Sequence, residues 1–245
     1  TVTRRQRQMC IRDRYNVSMK THLPQVPYKE TIRKKTNSHG RYKHQSGGHG
    51  QFGDVYLDIQ PLPRGSGFNF SETIVGGVVP KQYIPGVETG VREYLQHGPL
   101  GFPVVDVGVT LTNGSYHSVD SSEQAFKQAA RVAMQQGMSD CQPVLLEPIA
   151  LVEIFAPNEF TSKVLQLISI RRGQILGYEG ITDWQGWDQI SAYLALSEMQ
   201  DLIVELRSQT MGVGSFNWQF DHLQEMPNKL AQKVLSKNGN GNGHG

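Results

Sequence analysis

The chain has 245 residues, of which 38% are hydrophobic and 19% charged, a composition typical of globular proteins with one large or two ordinary domains. No apolar run approaches the ~18 residues of a membrane span, and no secretory signal follows the basic start. Cys10 and Cys141 form neither a metal-binding spacing nor a disulfide framework. These features exclude helical membrane proteins and disulfide-rich secreted proteins, and they predict a cytoplasmic location.

The formal net charge of +2 depends on residues 1–14. This segment holds five arginines and one aspartate, so the rest of the chain carries a net charge of −2. The segment resembles translated sequencing-adapter DNA, and we expect a non-native extension; the alternative is a genuine arginine-rich arm for nucleic acid. Residues 15–24 have the pattern of a lone strand, which we interpret as the remnant of a truncated upstream domain.

Residues 25–142 show strand and helix signals in turn. Alternating apolar and polar residues predict strands over Tyr28–Thr36, Gln51–Gln60, Phe68–Val75 and Phe102–Thr112. Helices are predicted over Pro80–Gln96 and Ser122–Gly137, the second one capped by Asp120 or Ser121 and ended by Gly137.

Residues 143–227 predict a second domain with a different order of elements. Strands are expected over Glu147–Phe155, Gln174–Glu179, Trp187–Ala195 and Ser215–Asp221, and helices over residues 158–170 and Glu198–Gln209. This β-α-β-β-α-β order is that of the split ferredoxin-like sandwich. Trp218 is expected in its core. Residues 228–245 predict a short helix followed by a disordered tail rich in asparagine and glycine.

A glycine-rich segment, Ser46–Gly53, follows the densest run of positive charge outside residues 1–14. Residues 29–43 hold six lysines and arginines and one acid, Glu30. A basic segment that leads to a loop with small side chains is typical of a site for a phosphate backbone. The alternative interpretation of this segment is a solvated hairpin turn. The pattern G-x-G-x-x-G also occurs here, but β-rich residues follow it where a dinucleotide-binding loop requires a helix.

A second polar loop, Gly114–Glu123, contains Ser115, His117 and Asp120. One hypothesis is a Ser/His/Asp hydrolase, although such triads are assembled from distant segments and need an oxyanion hole. A second interpretation is a helix-capping loop. A third keeps the cap and leaves His117 exposed to donate to a phosphate or a base.

Two further groups of residues have ordinary structural explanations. Arg171 and Arg172 lie at the end of a predicted helix, where cations interact favourably with the helix dipole; contact with an RNA backbone is the alternative. His39, His44 and His49 are spaced by fives on a flexible backbone, and we expect no metal site there.

Together these segments resemble translation elongation factor G over residues 15–235. The resemblance rests on Pro24–Lys35, Gln45–Gly53, Gly65–Phe68, Ile74–Pro85, Pro103–Asp106, Gly114–Phe126, Val144–Ile149, Arg171–Gln174, Leu206–Ser208 and Phe220–His222. It implies an α+β protein with two domains: residues 25–142 as the family's fourth domain, an elongated module containing βαβ units, and residues 143–227 as its ferredoxin-like fifth domain. The GTP-binding domain, with its GTP and magnesium, is implied to lie outside this chain, which itself would carry no cofactor and perform no catalysis.

The resemblance also implies a function and a site. Two loops at the end of the fourth domain would enter the decoding region of the ribosome beside tRNA and mRNA to promote translocation, and the chain would act as a monomer away from membranes. The implied RNA-binding tip comprises Ser46, Gly47, Gly48, His49, Gly50, Gln51, Ser115, Tyr116, His117, Asp120 and Ser121, with possible ribosomal RNA contacts from Lys43, Arg171 and Arg172.

The sequence departs from the common family pattern in several places. Gly48-His49 stands where Gly-Arg is common, and residues 180–191 and 210–214 are divergent. These differences favour an elongation factor G-like paralogue, for which ribosome recycling and ribosome protection are alternative functions.

Overall fold

The computed structural model describes residues 26–46 and 49–239. The predictions for residues 1–14 and 15–24, for Gly47 and Gly48, and for the tail from residue 240 onward lie outside the described residues. The described part contains nine strands, five α-helices and three short 3-10 turns. Its two sheets, each packed with helices, confirm the predicted α+β class.

The first sheet is built from four of these strands. The first strand of the described part, β1 (Lys29–Ile32), belongs to the other sheet. The elements that follow it in this domain are β2 (Thr36–Ser46), β3 (His49–Pro61), β4 (Phe68–Glu72), α1 (Ile84–Tyr94), β5 (Val107–Ser115) and α2 (Glu123–Asp140). The sheet order is β2-β3-β5-β4. β4 pairs with β5 in parallel, and the other pairs are antiparallel.

One face of this sheet is buried and the other is open. In β3, Val55, Leu57 and Ile59 are fully buried in a core shared with α1 and α2. The residues between them, such as Tyr56, project to the opposite face because successive strand side chains alternate. Gly40 allows α2 to come close, since a Cβ there would lie within 3.0 Å of Ala129 and Ala133.

The second sheet has the ferredoxin-like arrangement. Its elements are β6 (Pro143–Pro157), α3 (Thr161–Ile170), β7 (Gln174–Gly180), β8 (Trp187–Ala195), α4 (Leu202–Gln209) and β9 (Ser215–Glu225), followed by α5 (Asn228–Gly239). β6 pairs with β8 and β9, and β7 pairs with β8, all antiparallel. Residues of α3 and α4 share a buried cluster with β6 and β8.

A buried carboxyl group joins the first domain to the second sheet. β1 pairs with the first residues of β6, and its Glu30 is completely buried. The Glu30 carboxyl accepts hydrogen bonds from the backbone N–H of Leu100 (3.0 Å) and Phe102 (3.1 Å). Burial raises the pKa of Glu30 to about 7, although these two hydrogen bonds oppose the increase.

Several predicted boundaries differ from the structure for local reasons. Gly137 does not end its helix: it lies inside α2, where a Cβ would contact Ser38 and Ile59. The N-cap of α2 is Ser122, whose side chain accepts a hydrogen bond from Ala125 N, rather than Asp120 or Ser121. Residues 102–106 precede β5 as a loop, and 3-10 turns stand at the start of three predicted helices.

The expected burial of Trp218 is wrong. Trp218 is 52% exposed and Phe220 is 56% exposed, whereas Phe216 packs against the second core. The alternation of β9 is as predicted, but only its first aromatic residue reaches the core. In the described part of the chain, no helix is long and apolar enough to cross a membrane.

Candidate nucleic-acid interface

The two loops identified from the sequence lie side by side. Phe52 N donates a hydrogen bond to Asp120 O (2.8 Å), and Ser121 Oγ donates one to Phe52 O (2.9 Å). Phe52 and Ser121 also form an isolated β-bridge. We call residues 46–53 and 114–122, less the undescribed Gly47 and Gly48, the tip loops.

The close approach of the tip loops depends on Gly50. A Cβ at this position would lie 2.5–2.7 Å from the carboxyl atoms of Asp120, well inside normal contact distance. The absence of a side chain therefore lets Asp120 rest on the backbone of β3. Asp120 holds the loops in register, which is a structural role that its sequence position does not reveal.

Ser121 holds the second loop together through both its side chain and its backbone. Its hydroxyl accepts a hydrogen bond from His117 N (2.9 Å) while donating to Phe52 O. Its backbone N–H donates to His117 O (3.1 Å), and its carbonyl accepts from Tyr83 Oη (3.2 Å). Because these groups are already paired, Ser121 stabilises the tip and has little capacity left for a ligand.

His117 is held on one side and open on the other. Its Nδ1 accepts from the backbone N–H of Asp120 (3.3 Å) and of Val119 (3.4 Å), and its side chain is 56% exposed. Nδ1 also lies 3.3 Å from the Asp120 carboxylate, an acceptor that attracts a proton to this nitrogen. The exposed Nε2 edge of His117 is available for a hydrogen bond to a ligand.

Ser115 is not paired with His117. Its hydroxyl donates to Asp54 Oδ2 (2.7 Å) on the neighbouring strand. Within the described residues, no hydrogen bond joins Ser115 to His117, so the arrangement of nucleophile and base that a hydrolase needs is not formed. The Ser/His/Asp hydrolase hypothesis has no support from this geometry.

The remaining tip residues fall into two groups. Lys43, Gln51 and Tyr116 have exposed side chains and are available to a ligand. Ser46 and His49 pair with each other across the β2–β3 hairpin, and only their backbone is described. Gly47 and Gly48 lie outside the described residues.

Arg171 and Arg172 are both engaged within the chain. Arg171, with a side chain only 11% exposed, forms an ion pair with Glu205 (2.9 Å) and donates to the carbonyls of Glu198 and Gln200. Arg172 binds the buried carboxylate of Glu147 through both terminal nitrogens (3.1 Å each). The Glu147 carboxylate, as hydrogen-bond partner, raises the pKa of Arg172. Contact with ribosomal RNA stays a prediction for these arginines, and the structure supplies a competing structural role.

Sequence reasoning missed the part that Phe52 and Asp54 play at this site. The Phe52 ring meets the His117 ring edge-on, with centroids 6.5 Å apart. Asp54 joins Ser115 of one neighbouring strand to His39 of the other. The alternation of β3 was visible in the sequence, but the cross-strand register that brings these side chains together was not.

Potential metal ligands do not gather at the tip or elsewhere in the described part. Across residues 26–46 and 49–239, no three His, Cys, Asp or Glu side chains lie close enough together to hold a metal ion.

The protein class follows from two family models that match almost all of this fold. The model described as "Elongation factor G, domain IV" matches residues 24–142, and "Elongation factor G C-terminus" matches residues 144–234. The chain therefore belongs to the elongation factor G family, and the resemblance proposed from its motifs is confirmed.

Individual relatives place it within that family. An "Elongation factor G-like protein" of Synechocystis sp. (strain ATCC 27184 / PCC 6803 / Kazusa) is 70% identical over 220 residues, which cover 90% of this chain and 33% of the relative. A crystal structure of a protein from Thermus thermophilus matches with a TM-score of 0.84 and 38% identity, covering 93% of this chain and 34% of that one. The chain thus spans about a third of the length of these proteins.

Proposed function

We propose that this chain is the ribosome-binding C-terminal part of an elongation factor G-like translational GTPase. Its tip loops would insert beside tRNA and mRNA in the decoding region and promote translocation. The observation that carries this proposal is the interlocked pair of loops that orients His117 with its Nε2 edge exposed. Family membership supports the ribosome as the partner.

The chemistry of the tip suits RNA. Glycine at position 50 keeps the hairpin slender, and exposed His117, Gln51 and Tyr116 present groups that hydrogen bond to phosphates, 2′-hydroxyls and bases. Lys43 adds a positive charge on the adjoining strand. Two hydrogen bonds between the loops and several within the second loop fix the backbone and the His117 ring before binding, which lowers the entropic cost of association.

In this proposal the chain contributes binding and positioning, and catalysis belongs elsewhere. GTP and its magnesium ion would be held by a separate domain of the full-length protein, which would act as a monomer in the cytoplasm. The chain would transmit the movement caused by that domain to the RNA at the tip.

The role of His117 is tested by His117→Ala in the full-length protein. We expect the single-turnover translocation rate to fall roughly tenfold, because an oriented hydrogen bond to RNA is worth about 1–2 kcal/mol. His97→Ala, which removes another exposed histidine far from the tip in sequence, serves as the matched control. An unchanged translocation rate in His117→Ala, with normal folding by circular dichroism, would show that the side chain has no such role.

A recycling or ribosome-protection paralogue is the alternative within the same family. The name of the relative, "Elongation factor G-like protein", and the divergent residues 180–191 favour a specialised member of the elongation factor G family. Measuring ribosomal subunit splitting and tetracycline release with the same full-length protein separates these activities from translocation.

A further inference from the structure

The open face of the first sheet begins next to the tip loops and extends away from them along β2 and β3. β2 and β3 present His39, Arg41, Lys43 and Tyr56 as exposed side chains on this face, with Phe52 half-buried between them. The opposite face packs against α2. An open sheet face with aromatic rings and cations on adjacent strands is a suitable surface for an elongated ligand.

Aromatic and cationic groups follow one another along this face from the tip. Beyond the His117–Phe52 contact, the Arg41 guanidinium lies 5.4 Å from the centre of the Phe52 ring. Further along, His39 and Tyr56 are stacked, with centroids 4.2 Å apart and planes 13° from parallel. We call His39, Arg41, Phe52 and Tyr56 the aromatic strip. Tyr56 is 41% exposed although His39 covers one face of its ring.

The acids and bases of this face are engaged to different extents within the protein. The carboxylate of Asp54 accepts hydrogen bonds from His39 Nε2 (2.5 Å) and Ser115 Oγ (2.7 Å), and that of Asp58 accepts one from Asn37 Nδ2 (2.5 Å). Arg41 and Lys43, by contrast, have no ion-pair partner among residues 26–46 and 49–239. The carboxylates of this face keep their charge but already accept hydrogen bonds within the protein, whereas the two cationic side chains are available to the phosphates of a ligand.

We propose that the aromatic strip binds an RNA strand with unpaired bases, with phosphates at Arg41 and Lys43 and a base stacked on Tyr56. A duplex keeps its bases stacked on each other, so only an unpaired segment uses the free surface of the tyrosine. This inference rests on the proposed function, because the strand would be a continuation of the RNA that the tip loops approach.

The experiment compares RNA binding by the whole chain and its Tyr56 variants. The probe is a fluorescein-labelled oligouridylate of about 12 nucleotides containing 4-thiouridine, a length suited to single-strand sites. Binding is measured by fluorescence anisotropy, and crosslinks are located by mass spectrometry. We expect Tyr56→Leu to weaken binding about fivefold or more and Tyr56→Phe to keep it, since stacking needs the ring and not the hydroxyl.

Matched controls separate stacking from charge and from loss of folding. Tyr178→Leu makes the same change at an exposed strand position in the second sheet and should leave binding unaltered. Arg41→Gln should reduce the slope of log affinity against log salt by about 0.7, the value for one lost single-strand phosphate contact. Polyglutamate and dextran sulfate are added as competitors that carry charge without bases.

The outcomes distinguish this inference from the proposed function. Crosslinks at residues 39–43 or 54–56 together with the Tyr56 effect would support it. Crosslinks confined to the tip loops, with Tyr56→Leu binding like the unaltered chain while ribosome co-sedimentation persists, would overturn the strip and leave the tip role intact. Equal competition by polyglutamate or dextran sulfate would show a surface for acidic polymers instead. If the unaltered chain does not co-sediment with ribosomes in a salt-sensitive manner, both proposals are contradicted.

Discussion

At the scale of single residues, the tip loops separate side chains that face a ligand from those that hold the site in place. His117 has one ring nitrogen occupied and an exposed opposite edge, whereas the Ser121 hydroxyl is used twice within the protein. Gly50 leaves room for the Asp120 carboxyl group, which a Cβ at position 50 would overlap. Sequence position alone assigned all these residues the same expected role, but their hydrogen bonds assign them different ones.

Replacing Gly50 by alanine tests this division of roles. The added Cβ would overlap the Asp120 carboxyl group, so this carboxyl must shift and its 3.3 Å contact with His117 Nδ1 must change. We expect a loss of stability below about 1 kcal/mol, because the carboxyl is the movable end of a side chain, and a changed NMR chemical shift of the His117 ring. Gly177→Ala is the matched control, because a Cβ there has no neighbour within 4 Å. An unchanged His117 resonance in Gly50→Ala would contradict the proposed contact.

At the scale of elements, the position of α2 determines the shape of the first domain. Small residues on its buried face, among them Ala125, Ala129 and Ala133, let the helix lie directly on β2 and β3. Gly40 on the sheet meets this face so closely that any side chain would displace the helix backbone. The same helix begins at the Ser122 cap, so its placement also positions the second tip loop.

Gly40→Ala is therefore expected to be destabilising, although alanine normally suits a strand better than glycine does. Its Cβ would lie within 3.0 Å of backbone atoms of α2, which cannot rotate away as a side chain can. Overpacking of this kind costs about 1–3 kcal/mol and should lower the melting temperature by several degrees, as measured by calorimetry. Gly180→Ala, at an open strand position, controls for the substitution itself; equal melting temperatures for the two variants would refute the close packing.

At the scale of the whole molecule, the junction between the two domains is polar and buried. Glu30 connects β1 to the loop around Leu100 and Phe102. Glu147, on β6, is 3% exposed and is neutralised by Arg172. Arg33 and Glu225 add an ion pair between the end of β1 and the end of β9. The Glu30 hydrogen bonds and the exposed Arg33–Glu225 pair lie between the domains, whereas the Glu147–Arg172 pair lies within the second domain. Because Glu30 is buried, the junction is sensitive to the charge of its carboxyl group.

Glu30 gives the stability a defined pH dependence. Its folded-state pKa of about 7 lies above its ordinary value of 4.5 because of burial. Folding therefore favours the protonated form of Glu30. The contribution of this group to the free energy of unfolding is complete below pH 4.5 and is lost as pH rises through about 7. We expect the free energy of unfolding in urea to fall by up to about 3 kcal/mol between pH 4.5 and pH 8.

Two variants isolate the contribution of Glu30 to this slope. Glu30→Gln should be less stable at pH 4.5, since its amide N–H₂ faces a backbone donor. It should also lose the slope due to this group, so its difference from the unaltered protein should shrink as pH rises. Glu88→Gln, which changes an exposed carboxylate paired with Arg92, should retain the slope. A Glu30→Gln protein with the original pH dependence would show that another group is responsible.

Elements with long, regular patterns were predictable from the sequence alone. Strand β8 was predicted at its observed limits, Trp187–Ala195, because its alternation is bounded by clear turn residues. Ends that depend on neighbours were less accurate. Gly137 resembles a helix terminator, yet it lies inside α2 against Ser38 and Ile59. Trp218 alternates with polar residues as a core residue would, yet it is 52% exposed. Propensity describes a residue with its local chain, whereas burial depends on which elements lie above it.

By itself, the sequence determined the α+β class, the family and the two loops that form the tip, because alternation, glycine spacing and motifs are local properties of the chain. Only the tertiary structure decided that Ser115 pairs with Asp54 and not with His117, that Arg171 and Arg172 bind carboxylates of this chain, and that Glu30 is buried. Each of these facts depends on groups brought together from distant segments. A carboxylate 70 residues away from a backbone N–H becomes its partner only through the fold.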